Sequence, residues 1–503
     1  MHDAQSRNSP DCETTRRFSD LSELFRARRY YMKMRVQQLL YVVVLFLATS
    51  QFSYADDWVM FGRTPAHASF ARTEATLKKS VLSTLQPAWA QSFETVIAAS
   101  PSIAGGILYF GGWNGYFYAV DGKDGRVLWQ TFVGKAADPD FGQCQQAIGV
   151  SSQATISGDI VYVGGGDSAV YALKKSTGEQ IWRVPLADPA SGSYIWSSLT
   201  LVQNILYVGV ASLGDCPLVR GALVRFDLNA PLKPLVRYLT TDDQVGAGVW
   251  STPAIDVASN TVFVTTGTGE QVAGEGVWGG TLLALDATTL DIKAHYFLPT
   301  NSVETDIEWG SSPTVVLGGG GGQMIAATGK DGVLYALAAN DLSFLYQVKL
   351  AVECICPECG CGSLSTPAFD GRFLYVGAGV ADPELFDSGS VYSIDPIDGR
   401  VRWVRTTPGV VIAGVTVAGG LVFAGTGTGL NIFDADSGDL LWTDQDRGAM
   451  YSQPIVVDGT VYCAYVTGEL VAWRPVVQSE STLPPVSRGT PRGTRTGSGS
   501  TSP

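Results

Sequence analysis

Histidine is almost missing from this chain of 503 residues: His2, His67 and His295 are the whole supply. That argues against a histidine-built metal centre and against a nucleophile–histidine–acid triad. Charge is scarce as well, at 16% of residues, and it leans negative, with a net −13 and a pI near 4.8. A chain of that balance lacks the basic surface that phosphate backbones require, so nucleic acid is excluded as a partner. No apolar run is long enough to span a membrane; Leu39 to Ala48 falls short of the roughly 20 residues needed. The glycine-rich runs at Gly267–Gly269 and Gly318–Gly322 lack the strand–turn–helix setting of a dinucleotide fingerprint. Cys356-x-x-Cys359 is followed by Gly360 and not by His, which excludes covalent c-type haem.

What the chain has in abundance is glycine, 58 residues, and a unit that it keeps rewriting. Tyr118-Ala-Val-Asp-Gly-Lys-Asp-Gly-Arg-Val-Leu-Trp129 returns as Tyr171 to Trp182, Val391 to Trp403 and Leu430 to Trp442. In each copy apolar and polar residues alternate, an Asp/Gly-type tetrad turns the chain, and the returning run ends on an aromatic. This is hairpin chemistry, with Asp opening the turn and Gly supplying the positive φ. Further units end at Tyr238, Tyr296 and Tyr346, so the ends recur roughly every 40–58 residues, the period of four-stranded propeller blades. Small residues mark the opening strand of each unit, as in Ala99-Ser-Pro-Ser, Trp250-Ser-Thr-Pro and Leu364-Ser-Thr-Pro. After Trp442 a last unit, Ser452 to Trp473, lacks its outer strand, while Pro87-Ala-Trp89-Ala-Gln-Ser-Phe93 is a strand without a unit. The sequence therefore predicts an all-β, eight-bladed propeller over residues 56–475, closed by an N-terminal strand that completes the last blade.

Residues 1–55 read as a targeting region. Lys33-Met-Arg35 precedes the apolar run, and Ser53-Tyr-Ala55 is a small-x-small cleavage site; translation starting at Met32 or Met34 would give an ordinary signal. No lipid-accepting cysteine follows it, so no stable membrane anchor is expected, and the protein is expected in the periplasm or outside the cell. Residues 476–503, rich in Ser, Thr, Pro and Gly, read as a disordered tail.

The repeat, with its Asp…Gly…Trp ending, resembles that of quinoproteins that bind pyrroloquinoline quinone (PQQ), in particular polyvinyl alcohol dehydrogenase-type proteins and their methanol dehydrogenase relatives. The segments Gly246-Ala-Gly-Val-Trp250-Ser-Thr-Pro, Thr265-Thr-Gly-Thr268, Asp306-Ile-Glu308-Trp-Gly-Ser-Ser-Pro313, Gly329-Lys330-Asp-Gly and Val219-Arg220-Gly221 carry the resemblance. It implies that Trp250 stacks flat on the quinone, that Asp306 is the base taking the alcohol proton, and that Lys330 polarises the quinone carbonyl. It also implies cofactor contact at Arg220 and a Ca²⁺ or lanthanide ion held by Asp306 and Glu308. Thr268 stands where the family has an asparagine ligand, and Asp215 is out of step by one with the expected glutamate. A lone Cys144 replaces the adjacent cysteine pair of many members.

Cys354, Cys356, Cys359 and Cys361 form a cluster that suits local disulfides in an exported protein, with a soft metal as the other reading. The resemblance implies a dehydrogenase oxidising a small, secondary or polymeric alcohol and passing electrons to an external acceptor such as a cytochrome c. The other reading is a non-catalytic propeller that binds protein or polysaccharide, similar to outer-membrane assembly propellers. Nothing in the composition fixes an oligomeric state.

Overall fold

The structure is a computed structural model, and the residues described are 57–136, 148–215, 217–269, 276–299, 307–317, 322–353, 360–382, 388–444 and 446–476. The expected signal region, Asp306, Cys144, three cysteines of the cluster and the tail lie outside them. The chain divides into a unit of residues 1–56 and a unit beginning at Asp57.

Each rewritten motif folds into the third and fourth strands of an antiparallel sheet, and eight such sheets follow one another. Blades 1 to 7 occupy residues 102–132, 155–185, 193–238, 254–297, 314–349, 368–408 and 416–444. Blade 8 takes its three inner strands from 455–475 and its outer strand from Leu85–Ser92, paired antiparallel with Glu469–Pro475. Head and tail of the chain thus share one sheet, as the strand at Trp89 predicted, and the ring has no open edge. Inner strands are buried on both faces, as in Ile160–Gly164 and Leu374–Ala378, whereas outer strands such as Val127–Phe132 alternate.

Aromatics that end the units dock on the next blade, whereas Tyr238 is exposed and packs under Arg220 of its own blade. Trp89 donates its indole N–H to Gly122 O (3.0 Å), Trp129 to Lys175 O (2.9 Å) and Trp403 to Ala435 O (3.1 Å). Tyr346 does the same through its hydroxyl to Pro396 O (3.1 Å). The turn glycine of the receiving blade lies flat under the ring: Gly125 has φ +79°, and a Cβ there would sit 2.7 Å from Trp89 Cε3. Only glycine meets both demands.

Toward the axis the small residues of the first strands form a girdle. Ser102 donates to Ala154 O (2.7 Å), Thr155 to Leu199 O (2.5 Å), Thr200 to Pro253 O (2.6 Å), Thr314 to Pro367 O (2.6 Å) and Thr416 to Pro454 O (2.5 Å), each from one blade to the next. Blades 4, 6 and 8 carry Ala254, Ala368 and Ile455 at this position and have no hydroxyl to offer. The three carbonyls that would go without are reached by other side chains. His67 Nδ1 serves Pro313 O (2.8 Å), Gln453 Nε2 serves Val415 O (2.8 Å) and Gln153 Nε2 serves Pro101 O (3.0 Å). The eight inner carbonyls are all satisfied, which is what burial demands of them.

The lead-in from Asp57 lies across one end of this channel and caps the inner strands. Trp58 and Ile103 exchange backbone bonds (3.0 and 2.9 Å), and the carbonyls of Val59, Pro65, Ala66, Ala68 and Ser69 accept from Ile156, Ile255, Val315, Phe369 and Val417 (2.7–2.9 Å). Phe70–Ala71 then adds a parallel strand to blade 7. Trp58 and His67 are fully buried under it.

Candidate functional site

In an antiparallel blade the start of the first strand and the end of the second lie at the same end. The connections that open blades 4 and 5 therefore meet the loops that follow their second strands, opposite the lead-in. Trp250 precedes Ala254–Asp256, and Gly267 and Thr268 follow Thr261–Thr265. Glu308 precedes Thr314–Leu317, and Lys330 follows Gln323–Thr328. Four of the positions singled out in the sequence, Trp250, Thr268, Glu308 and Lys330, are brought together here.

The backbone fixes each of them. Lys330 donates its amide to Glu308 O (2.9 Å), and Trp309, between the two, is locked by its indole N–H on Gly280 O (3.1 Å) and by an edge contact with Tyr335 (5.3 Å). With Trp309 buried in the blade, alternation turns Glu308 away from it. The residues on either side of Trp250 are held just as firmly: Val249 N–H bonds Val210 O (3.0 Å), and Ser251 Oγ donates to Thr265 O (2.9 Å).

The Glu308 carboxylate is then held from two sides. Oε1 lies 3.0 Å from Lys330 Nζ, with side chains only 6% and 12% exposed, and Oε2 accepts the Thr268 N–H at 2.5 Å. Lys330 Nζ is also 6.0 Å from the centre of the Trp250 ring, which remains partly exposed. Gly267 makes this approach feasible, since a Cβ there would fall 2.7 Å from Glu308 Oε2 and 3.5 Å from Trp250 Cδ1. The result is an indole face beside a partly buried cation that is held against a buried carboxylate. A planar, electron-poor or anionic group suits such a surface, with stacking from Trp250 and charge from Lys330. The sequence reading did not include Gly267 or Trp309 among the site residues. Their signal was the spacing to Thr268 and Glu308, visible only once the partners were known.

Other expected residues lie elsewhere. Arg220 does not join the group: its guanidinium bonds Thr240 O (2.8 Å) and Asp242 (2.8 Å) and covers the Tyr238 ring at 4.2 Å. Asp215 is exposed in the loop after Ile205–Ser212, in the left-handed region (φ +58°). Asp306 lies outside the described residues. Among those described, no three acidic, histidine or cysteine side chains converge as a metal site. Cys361 is disulfide-bonded, while Cys354, Cys356 and Cys359 are outside the described residues. Cys463 is free and buried, and burial pushes its thiol well up, so it is held neutral and unreactive. No helix among the described residues is long and apolar enough to cross a membrane.

The fold and this cluster define a class, the quinoprotein-type propellers. A family model described as outer membrane protein assembly factor BamB, built on the PQQ-type repeat, matches residues 80–213, 141–347 and 188–481. The chain belongs to this PQQ-type β-propeller repeat family. It is similar to a polyvinylalcohol dehydrogenase of Pseudomonas sp., 24% identical over 79% of this chain and 69% of the relative. It is similar also to a quinoprotein ethanol dehydrogenase of Pseudomonas aeruginosa, 23% identical over 76% of this chain and 81% of the relative. Among solved structures, a europium-containing methanol dehydrogenase superposes with a TM-score of 0.71 at 16% identity, over 84% of this chain and 98% of that one. The last likeness establishes the fold.

Proposed function

We propose that this protein is an exported PQQ-dependent dehydrogenase that oxidises an alcohol, small or polymeric, and delivers electrons to an external acceptor such as a cytochrome c. The observation that carries the reading is the partly exposed Trp250 face with Lys330 Nζ 6.0 Å from its centre. PQQ, when bound, supplies a two-electron acceptor for the hydride of the alcohol. Trp250 would carry the ring system, and the Lys330 ammonium would stabilise negative charge as it develops on the quinone oxygens. Thr268 N–H and Lys330 Nζ hold the Glu308 carboxylate in place from two sides. Asp306 is the proposed base, on sequence resemblance. The likeness to a polyvinylalcohol dehydrogenase supports a dehydrogenase over the whole propeller.

The described residues do not fit a divalent or trivalent metal ion. They offer one carboxylate, Glu308, and both its oxygens already have donors. No step is assigned to a metal.

The purified chain, titrated with PQQ, should bind it at micromolar concentration and reduce a dye when alcohol is added. The family description as an assembly factor favours the other reading, a cofactor-free binding propeller. An absence of PQQ binding at that concentration would overturn the dehydrogenase reading.

A further inference from the structure

We infer that Lys330 is a built-in cation that stands in place of a metal ion at this site, so that the Glu308 position takes no Ca²⁺ or lanthanide. Its meaning rests on the quinone reading above, but its test does not.

Glu308 is one of the few carboxylates buried near the axis, at 4% exposure, and it is matched by one ammonium 3.0 Å from Oε1. Bringing a divalent or trivalent ion to Glu308 would set it beside the Lys330 ammonium in a site of low polarisability, where like charges repel strongly. The coordination geometry argues the same way. Oε2 points at the Thr268 amide, 2.5 Å away, so an ion would have to displace a backbone N–H that Gly267 is shaped to bring close. A Ca²⁺ ion wants six to eight oxygens. Thr268 contributes one hydroxyl, and with Asp306 counted by sequence the carboxylates number two. The ammonium needs none of those ligands: it carries its own tether and three donors.

The arrangement also accounts for the lysine. A short point charge held 6.0 Å from the Trp250 centre can serve the carboxylate on one side and a group stacked on the indole on the other. In this account the two roles expected separately for Lys330 and for a metal ion fall to one residue.

The test uses the full chain without PQQ and reads its melting temperature with added CaCl₂ or LaCl₃. The wild-type protein should show no saturable rise with either ion. Lys330→Met should melt lower by roughly 5 °C, because the buried Glu308 carboxylate loses the ammonium that faces Oε1, and LaCl₃ should recover part of that loss. Adding Glu308→Gln to Lys330→Met should abolish the LaCl₃ response, and Lys330→Arg should behave as wild type. A wild-type rise with Ca²⁺ or La³⁺ that disappears in Glu308→Gln overturns the inference, and so does a Lys330→Met protein as stable as wild type. PQQ binding with and without EDTA is measured separately. Loss on EDTA also counts against the inference, whereas no binding in either condition overturns the quinone reading and leaves the ion result standing.

Discussion

The two ends of the central channel are built on opposite principles. At the lead-in end the girdle uses neutral groups alone: five hydroxyls, two carboxamides and one imidazole, each donating to an inner carbonyl. At the other end a buried carboxylate pairs with a partly buried ammonium beside a partly exposed indole. Neutral groups paired one to one close a channel at little electrostatic cost. A buried ion pair is a poor way to gain stability, because desolvation offsets most of the attraction. Its presence supports the proposal that chemistry takes place at this end of the channel.

The largest effect should come from breaking the charged end. Lys330→Met is expected to cost about 3–5 kcal/mol, the penalty for removing the ammonium from a buried carboxylate, read from urea midpoints at pH 7. The neutral end has its own sensitive point in His67. A carbonyl only accepts, so Nδ1 carries the proton on Pro313 O, and Nε2 has no hydrogen-bond partner among the described residues. Burial lowers the His67 pKa to about 4, with the Pro313 and Pro253 carbonyls opposing the shift without overcoming it. The folded value lies below the unfolded 6.5, so the contribution is complete above pH 6.5 and is lost as pH falls toward 4. Stability should drop by about 2 kcal/mol between pH 7 and pH 5 from this group, and that slope should be absent in His67→Gln.

Smaller changes sharpen the contrast. Thr314→Val keeps the shape of the side chain but leaves Pro367 O without its donor, an expected loss of about 1 kcal/mol, measured by denaturant titration. Asp242, 96% exposed in its pair with Arg220, should matter least: Asp242→Ala is expected to change stability by less than about 0.5 kcal/mol and to leave PQQ binding untouched.

The ring was legible because its signals are local. Asp and Gly set each turn, the aromatic ends each unit, and the outer strand missing after Trp473 had its match at Trp89. The girdle was half legible, since the small residues of the first strands were plain but their blade-to-blade bonding was not. The lead-in was opaque because it works through backbone carbonyls, which no side-chain pattern announces, and so His67 passed unremarked except as one of few histidines. At the site, the residue types at 250, 308 and 330 were readable from the sequence. The pairing of Glu308 with Lys330, and the diversion of Arg220 to Asp242 and Tyr238, depend on side-chain directions that spacing does not encode.

The most direct measurement is PQQ binding to the purified full chain, followed by quenching of tryptophan fluorescence, in wild type and in Trp250→Ala. A micromolar dissociation constant that weakens at least tenfold in the variant, about 1.4 kcal/mol of lost stacking, is the predicted result. No binding by wild type, or equal binding by both, would contradict the assignment of this end of the channel to the quinone.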